Sequence, residues 1–370
     1  MAPASSSKMS FADAVQVGIK RHREGNYDGA AKVYEQLLEV NPESEDVLQL
    51  MGLICVQTGD PIKGIELMQK SISVNPNNPT VHCNLGGALK RAGRMDEAVE
   101  SYLRATAIDP NMVDGHFNLG VLHKEADRFN QAAEHFKATL KLAPDHTKAQ
   151  YMLAAITDKS TKMPPAGFVR DVFDEHSHVF EASMDHGSSR IPELVRDAAL
   201  QHLGRQQMPQ GKSFPAILDL GCGTGRSGVP FRAFCNTLHG VDLSPNMMEY
   251  ARAKNIYDDL YLDDFVNFMA AAKSEYDLVL SVDAFLYMGP LDDVFANVAR
   301  LLKAGGSFGF TVEALDEGDY ALQPTCRHAQ SETYIRRLAD EYGFNVEICE
   351  HVPKLRYDVK GTLFWLVKPE

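Results

Sequence analysis

The 370-residue sequence lacks the features that mark membrane-spanning, disulfide-linked and metal-binding proteins. No apolar run reaches the roughly 18 residues of a membrane span, and the first residues lack the apolar core of a secretory signal. Its six cysteines are scattered, with no C-x-x-C pair and no Cys/His spacing typical of zinc sites. We therefore expect no membrane span, reduced thiols, no bound metal and a cytoplasmic location.

Basic residues are also few: the sequence has 37 Lys and Arg and 50 Asp and Glu, for a net charge of −13. Most of the acidic excess lies after residue 155. A protein that grips a phosphate backbone normally carries a basic stripe. Neither half of the chain is basic overall, so we expect no nucleic-acid partner. The length itself predicts two or three domains.

Residues 1–155 repeat with a period of 34, and each period carries small, large and proline positions in a fixed register. The small column is Gly18, Gly52, Gly86 and Gly120, and the closing prolines are Pro42, Pro76, Pro110 and Pro144. Such columns predict two antiparallel helices per repeat. The small residues lie where the helices cross, and proline follows the second helix.

This pattern resembles the tetratricopeptide repeat (TPR), with about four repeats and a final capping helix at 146–156. The resemblance implies an α-helical solenoid over residues 1–156 whose concave groove binds a protein or peptide partner. Asn84 and Asn118 share a register from which their amides could hold a peptide backbone. The alternative is that both asparagines merely follow the repeat consensus.

Residues 157–167, rich in Lys and Pro, predict a linker. Beyond it we expect a helical cap over 168–210 and a sheet core over 214–370. Strands are predicted at 216–220, 238–241, 276–281, 307–312 and 362–367, with helices between them. Alternation of this kind predicts a doubly wound α/β domain, whose ligands lie beyond the carboxyl ends of the strands.

The loop after the first strand reads Asp219-Leu220-Gly221-Cys222-Gly223-Thr224-Gly225. A dinucleotide fingerprint needs its third glycine where Arg226 stands, so an NAD-type site is disfavoured. The spacing resembles the first motif of class I S-adenosylmethionine (SAM) methyltransferases. The next predicted strand ends in Asp242, and an acidic pair with Phe265 precedes the third, in the order that this family shows.

The resemblance implies a Rossmann-like domain that binds SAM through these loops. Glycines and their neighbours let the backbone approach the methionyl part of the ligand. Asp219 would anchor the loop and the ligand ammonium, Asp242 the ribose diol, and Asp264 the adenine amino group, with Asp263 as its competitor. The complete predicted cofactor set is Asp219, Gly221, Cys222, Gly223, Thr224, Gly225, Asp242, Leu243, Met247, Asp264, Phe265 and Ser281.

Ahead of the sheet, the run from Phe173-Asp174 to Phe180-Glu181 resembles the opening of a group of bacterial TPR-containing predicted methyltransferases. His176 stands where that group tends to have Tyr. The stretches at 327–331 and 354–364 are also similar to that group, so the resemblance extends over nearly the whole chain.

The candidate catalytic residues are Asp283, Tyr287, His176, His178 and His328. A carboxylate or a near-neutral histidine suits proton removal from an acceptor. The alternative is that most of these residues only pack or form hydrogen bonds. The Asn/Asp-Pro-Pro-Tyr/Phe signature for methylation of base amino groups is absent at 281–284.

We therefore expect a SAM-dependent methyltransferase whose repeats recruit a partner or substrate. The acceptor stays open among small molecules, lipid-linked metabolites and protein side chains. The alternative is an adaptor whose methyltransferase-like half does not catalyse.

Overall fold

The computed structural model describes residues 9–157, 164–165, 167–170, 172–174, 190–204, 213–352 and 359–370. The chain forms two compact units, Met1–Leu153 and Ala154–Glu370. None of the helices in these ranges is both long and apolar enough to cross a membrane.

The first unit is helical and follows the 34-residue period. Its helices are α1 Phe11–Arg23, α2 Tyr27–Val40, α3 Glu45–Gln57, α4 Pro61–Val74, α5 Pro79–Arg91, α6 Met95–Ile108, α7 Val113–Glu125 and α8 Phe129–Leu142, with α9 Thr147–Ile156 reaching into the second unit. Each closing proline lies two residues beyond a second helix, as the sequence predicts. Asp60 and Asn78 cap α4 and α5 through their side chains, which satisfies backbone donors that the first helical turn leaves unpaired.

Large side chains, three of them aromatic, fill the gaps that the small column leaves. A Cβ atom on Gly86 would lie 2.8 Å from the ring of Tyr102, and one on Gly120 would lie 2.6 Å from Phe136. Both rings are buried. The close helix crossings therefore require these glycines, and the predicted α-helical solenoid is confirmed.

The second unit is built on one sheet in which β3, β2, β1, β4 and β5 are parallel neighbours, followed by antiparallel β9 and β8. The strands are β1 Ala216–Leu220, β2 Thr237–Asp242, β3 Asp259–Leu262, β4 Tyr276–Ser281, β5 Leu302–Leu315, β6 Tyr320–Leu322, β7 His328–Ser331, β8 Asn345–Val352 and β9 Gly361–Val367. A short hairpin of β6 and β7 joins the end of β5.

Helices α10 Ile191–His202, α11 Pro245–Lys254, α12 Phe265–Ala271, α13 Asp292–Leu301 and α14 Glu332–Glu341 accompany this sheet. One core contains Phe295, Phe308 and Phe310, and a second contains Val195 and Trp365. Apolar cores of this kind bury the strands of a doubly wound sheet. The predicted α/β architecture is confirmed, while β3, β6, β7 and β8 extend it beyond the five strands foreseen.

Candidate functional site

A cavity lies at the carboxyl ends of β1, β2 and β4, where open α/β sheets bind their ligands. Its volume is about 900 Å³ with its open mouth included. The residues that line it are Pro164, Val169, Phe173, Gly221, Gly223, Asp242, Leu243, Met247, Asp264, Phe265, Val282, Asp283, Ala284, Tyr287 and Met288. Most of these side chains are apolar, and the acidic ones come from three separate loops. Few polar groups on an apolar wall are typical of a small-molecule site.

The glycine loop reaches this cavity with its backbone. Gly221 and Gly223 have φ angles of +68° and +53°, which side chains rarely adopt. A Cβ on Gly221 would meet the methyl of Ala284 at 2.5 Å, whereas the space beside Gly223 is open. Both glycines line the cavity, so the loop offers a backbone surface that a ligand can approach closely.

Asp242 ends β2 and joins that strand to the glycine loop. Its Oδ2 accepts the N–H of Gly223 at 2.9 Å, and its Oδ1 accepts the N–H of Ser244 at 2.8 Å. Burial raises the pKa of Asp242, and the backbone N–H groups oppose that rise. Each carboxylate oxygen has acceptor capacity beyond one bond. Asp242 therefore presents a fixed pair of hydrogen-bond acceptors to the cavity.

Asp219 lies behind the loop and is fully buried. Its Oδ2 accepts hydrogen bonds from the hydroxyls of Ser227 at 2.6 Å and Tyr257 at 2.7 Å. Burial raises the pKa of Asp219 to about 6, although both hydroxyls act against the shift. Among the described residues, Oδ1 of Asp219 has no hydrogen-bond partner. Asp219 thus holds Ser227, just after the loop, and does not itself line the cavity; its role as the anchor of the loop stays a prediction.

Four further residues of the predicted cofactor set are buried close to the loop and do not line the described cavity: Cys222, Thr224, Gly225 and Ser281. The Oγ of Ser281 donates to the carbonyl of Leu220 at 3.2 Å. Through that bond it ties β4 to the end of β1. Ser281 therefore supports the loop from β4, while Cys222, Thr224 and Gly225 are buried residues of the loop itself.

Asp264 lines the cavity and also caps a helix. Its Oδ1 accepts the N–H groups of Val266 at 2.8 Å and Asn267 at 3.2 Å, which begins α12. The neighbouring Asp263 is exposed and accepts from the N–H of Asp264. Of the two competing acids, the structure brings only Asp264 to the cavity.

Helical residues 167–170 and 172–174 cover one side of the cavity. Phe173 contacts the ring of Tyr287 edge to face, with the ring centres 5.1 Å apart. Asp174 accepts a hydrogen bond from the Oγ of Ser244 at 2.5 Å, and its carbonyl accepts from the amide of Asn246. The sequence did carry a signal for this place at the cavity. Phe173-Asp174 opens the run that resembles the bacterial group, although the sequence assigned no contact to the pair.

The structure brings two of the five catalytic candidates to the cavity. Asp283 and Tyr287 line the cavity, whereas His328 is buried within β7 and is not among the described lining residues. Asp283 has a φ of +57°, and its N–H donates to the Oγ1 of Thr311. A non-glycine residue in this conformation often marks a functional site. His176 and His178 lie outside the described residues.

The cavity fits the cofactor that the sequence implies. It combines a glycine cradle that a side chain at 223 would obstruct, a double acceptor at Asp242 and the apolar walls of Leu243, Met247 and Phe265. An adenosyl group needs acceptors for its ribose hydroxyls and an apolar surface for its base. These are the groups that meet here.

Comparison with known proteins agrees with this geometry. The sequence model described as "Methyltransferase domain" matches residues 217–306. Tetratricopeptide-repeat models match residues 21–48, 45–78, 86–127 and 113–146. The chain carries a methyltransferase domain preceded by tetratricopeptide repeats. The predicted family resemblance is confirmed, and SAM use is confirmed at the level of the domain.

The curated relatives include two malonyl-[acyl-carrier protein] O-methyltransferases. The one from Enterobacter lignolyticus is 25% identical over 159 residues, which are 43% of this chain and 56% of the relative. The one from Salmonella typhimurium is 30% identical over 135 residues, which are 36% of this chain and 53% of the relative. The chain thus spans about half the length of these relatives.

Solved structures resemble each half separately. The N-methyltransferase NodS from Bradyrhizobium japonicum, in complex with S-adenosyl-L-homocysteine, is 17% identical and aligns with 48% of this chain and 86% of its own, at a TM-score of 0.39. The MamA protein is 21% identical and aligns with 40% of this chain and 81% of its own, at a TM-score of 0.37.

Proposed function

We propose that this protein transfers a methyl group from SAM to a nucleophilic acceptor, and that its repeats recruit the acceptor or a partner that carries it. The observation that carries the proposal is the meeting of the glycine loop with Asp242 at the cavity. The matched methyltransferase domain covers the strands and loops that build this meeting point.

When bound, SAM supplies a methyl group that its sulfonium makes electrophilic. The chain's own residues hold the reactants and keep water away. The carboxylate of Asp242 would accept hydrogen bonds from the ribose hydroxyls, and the backbone at Gly221 and Gly223 would accommodate the methionyl part. Met247 and Phe265 would offer the base an apolar surface. Positioning of this kind supplies much of the rate enhancement in a two-reactant displacement.

We assign the acceptor side of the cavity to Asp283, Tyr287 and Phe173, which line it, and the rings of Phe173 and Tyr287 are in contact. The two rings exclude water from the reacting centre. Asp283, held by its hydrogen bonds with Thr311, takes the proton of an acceptor that must lose one. His176 and His178 remain predicted candidates for the same task.

Transfer of a labelled methyl group tests the proposal. The purified chain is incubated with methyl-labelled SAM and either a small-molecule extract, a lipid extract or a protein extract. Label that enters one fraction, and is lost with Asp242→Ala, supports methyl transfer and identifies the acceptor class. A folded chain that binds no SAM, while residues 1–155 still capture a partner, supports the non-catalytic adaptor instead.

A further inference from the structure

Tyr257 lies outside the cofactor motifs, yet three glycines surround its ring. A Cβ atom on Gly225 would lie 3.0 Å from the ring, one on Gly228 2.7 Å from the hydroxyl, and one on Gly240 2.9 Å from the ring. The ring therefore fits a notch that only residues without side chains leave open. Gly225 is the last residue of the cofactor loop, Gly228 follows three residues later, and Gly240 belongs to β2.

The local backbone directs Tyr257 into this notch. Helix α11 ends at Lys254, and Asn255 adopts a left-handed conformation with a φ of +52°. Three residues later, the N–H of Asp258 donates to the carbonyl of Leu238 at 2.9 Å, and its Oδ2 accepts the N–H of Leu238 at 2.8 Å. These bonds fix the segment 255–258 against β2, so Tyr257 has little freedom to leave its place.

The hydroxyl of Tyr257 completes the connection to the loop. It donates to the Oδ2 of Asp219 at 2.7 Å, and the Oγ of Ser227 donates to the same atom at 2.6 Å. Such donors stabilise a buried carboxylate, and a buried carboxylate without them lowers the stability of the folded protein. One oxygen of Asp219 thus joins the strand before the loop, the chain after it and the segment after α11.

We infer that Tyr257 is a positioning residue for the cofactor: its hydroxyl, through Asp219, and its ring, through the glycine notch, hold the loop 221–225 in the conformation that receives SAM. This inference rests on the proposed function. Tyr257 makes no direct contact with the cavity among the described lining residues, so its effect reaches the cofactor only through the loop.

The protonation of the buried Asp219 makes the positioning role of Tyr257 depend on pH. Asp219 is faced by Tyr257, Ser227, Cys222 and Asp242. Burial raises the pKa of Asp219 to about 6, and the bond from Tyr257 opposes the rise. The pKa of Tyr257 is raised well above its usual value by burial and by Asp219, so the hydroxyl stays a donor. The ionised carboxylate accepts both hydroxyl bonds, and its protonation below pH 6 weakens the loop.

The test compares Tyr257→Phe with the original chain in binding of S-adenosylhomocysteine between pH 5 and 8. Phe keeps the ring in the notch and removes only the hydroxyl. We expect affinity at pH 7.5 to fall roughly tenfold, the effect of losing one hydrogen bond to a charged group. We also expect the pH at which affinity declines to move upward, because Asp219 loses a donor that favours its ionised form.

Tyr276→Phe is the matched control. Its hydroxyl is hydrogen-bonded to the Nδ1 of His239 at 2.9 Å, away from the loop, so it should keep both the affinity and the pH midpoint of the original chain. If Tyr257→Phe binds with unchanged affinity and unchanged midpoint, the inference is wrong. If the original chain itself binds neither SAM nor S-adenosylhomocysteine, the proposed function fails instead.

Discussion

The carboxylate of Asp242 accepts the backbone N–H of Gly223 at 2.9 Å, across 19 residues of sequence. Asp242, the last residue of β2, thereby fixes the glycine loop that follows the neighbouring strand β1. The same carboxylate lines the cavity together with that glycine. Loop geometry and ligand recognition thus depend on one side chain.

Gly223→Ala tests the backbone surface of the loop. The added methyl group meets no atom within 4 Å, and the φ of +53° costs about 1 kcal/mol of folding free energy. The methyl group stands where a ligand must approach, so we expect S-adenosylhomocysteine to bind at least tenfold more weakly, as measured by calorimetric titration.

Gly318→Ala is the matched control for that variant. Gly318 also has a positive φ, of +85°, and nothing within 4 Å of a built Cβ. It should lose similar stability and keep full affinity. Equal affinity losses in the two variants would show that backbone strain, and not obstruction of the cavity, causes the effect.

The contact between Asp174 and Ser244 predicts energetic coupling to ligand binding. Asp174→Ala removes the acceptor of the Ser244 hydroxyl and loosens the helical residues that cover the cavity. We expect faster dissociation of S-adenosylhomocysteine in stopped-flow experiments. Because Ser244 also caps α11, the informative quantity is the coupling energy from Asp174→Ala, Ser244→Ala and the double variant, expected at about 1 kcal/mol. Strict additivity would contradict a role for this contact in binding.

Three histidine rings in the fourth repeat predict acid sensitivity of the first unit. His123 and His135 stack with ring centres 5.4 Å apart, and His116 lies 5.7 Å from His135. Burial, with the neighbouring His123 and His116, lowers the pKa of His135 to about 4, and burial lowers the pKa of His123. Their unfolded pKa is about 6.5. The unfolded chain therefore binds more protons, and stability falls as pH drops from about 6.5 towards 4.

Thermal unfolding at pH 7.5 and pH 5 measures this effect. His135→Gln should reduce the acid-induced fall in melting temperature by a few degrees. A change of about 1 kcal/mol in the free energy of unfolding shifts the melting temperature of a domain of this size by about 2–4 °C. His351→Gln, at an exposed position of the sheet unit, should leave the acid-induced fall in melting temperature unchanged. An identical pH dependence in all three chains would rule out the histidine cluster as its source.

Local and periodic signals were sufficient to predict the architecture. The 34-residue columns predicted the helix pairs because each glycine of the column faces a large side chain that recurs at a fixed spacing, as Gly86 faces Tyr102 and Gly52 faces Met68. The apolar runs of β1, β4 and β5 predicted the inner sheet because central parallel strands are buried on both faces. Strand β8 lacks such an apolar run because it is partly exposed, and among the described strands it pairs with β9 at the edge of the sheet.

The site was predictable only where a residue lies beside its motif. Asp242, Met247 and Phe265 stand at positions that the resemblance names, and they line the cavity. Tyr257 carries no local signal, because its partner Asp219 lies 38 residues away in sequence. Asp174 belongs to a run that the resemblance singles out, but its partner Ser244 lies 70 residues away and could not be named from that run. His328 was a reasonable base by residue type, but its strand buries it away from the described lining.

Calorimetric titration of the full chain with S-adenosylhomocysteine tests the central claim most directly. The comparison uses the original chain, Asp242→Ala and the exposed-site control Asp197→Ala. We predict micromolar binding by the original chain and the control. Loss of the ribose acceptor and the loop bond should weaken binding by roughly 1–3 kcal/mol in Asp242→Ala. Equal affinity in Asp242→Ala, or no binding by a well-folded original chain, would contradict the account.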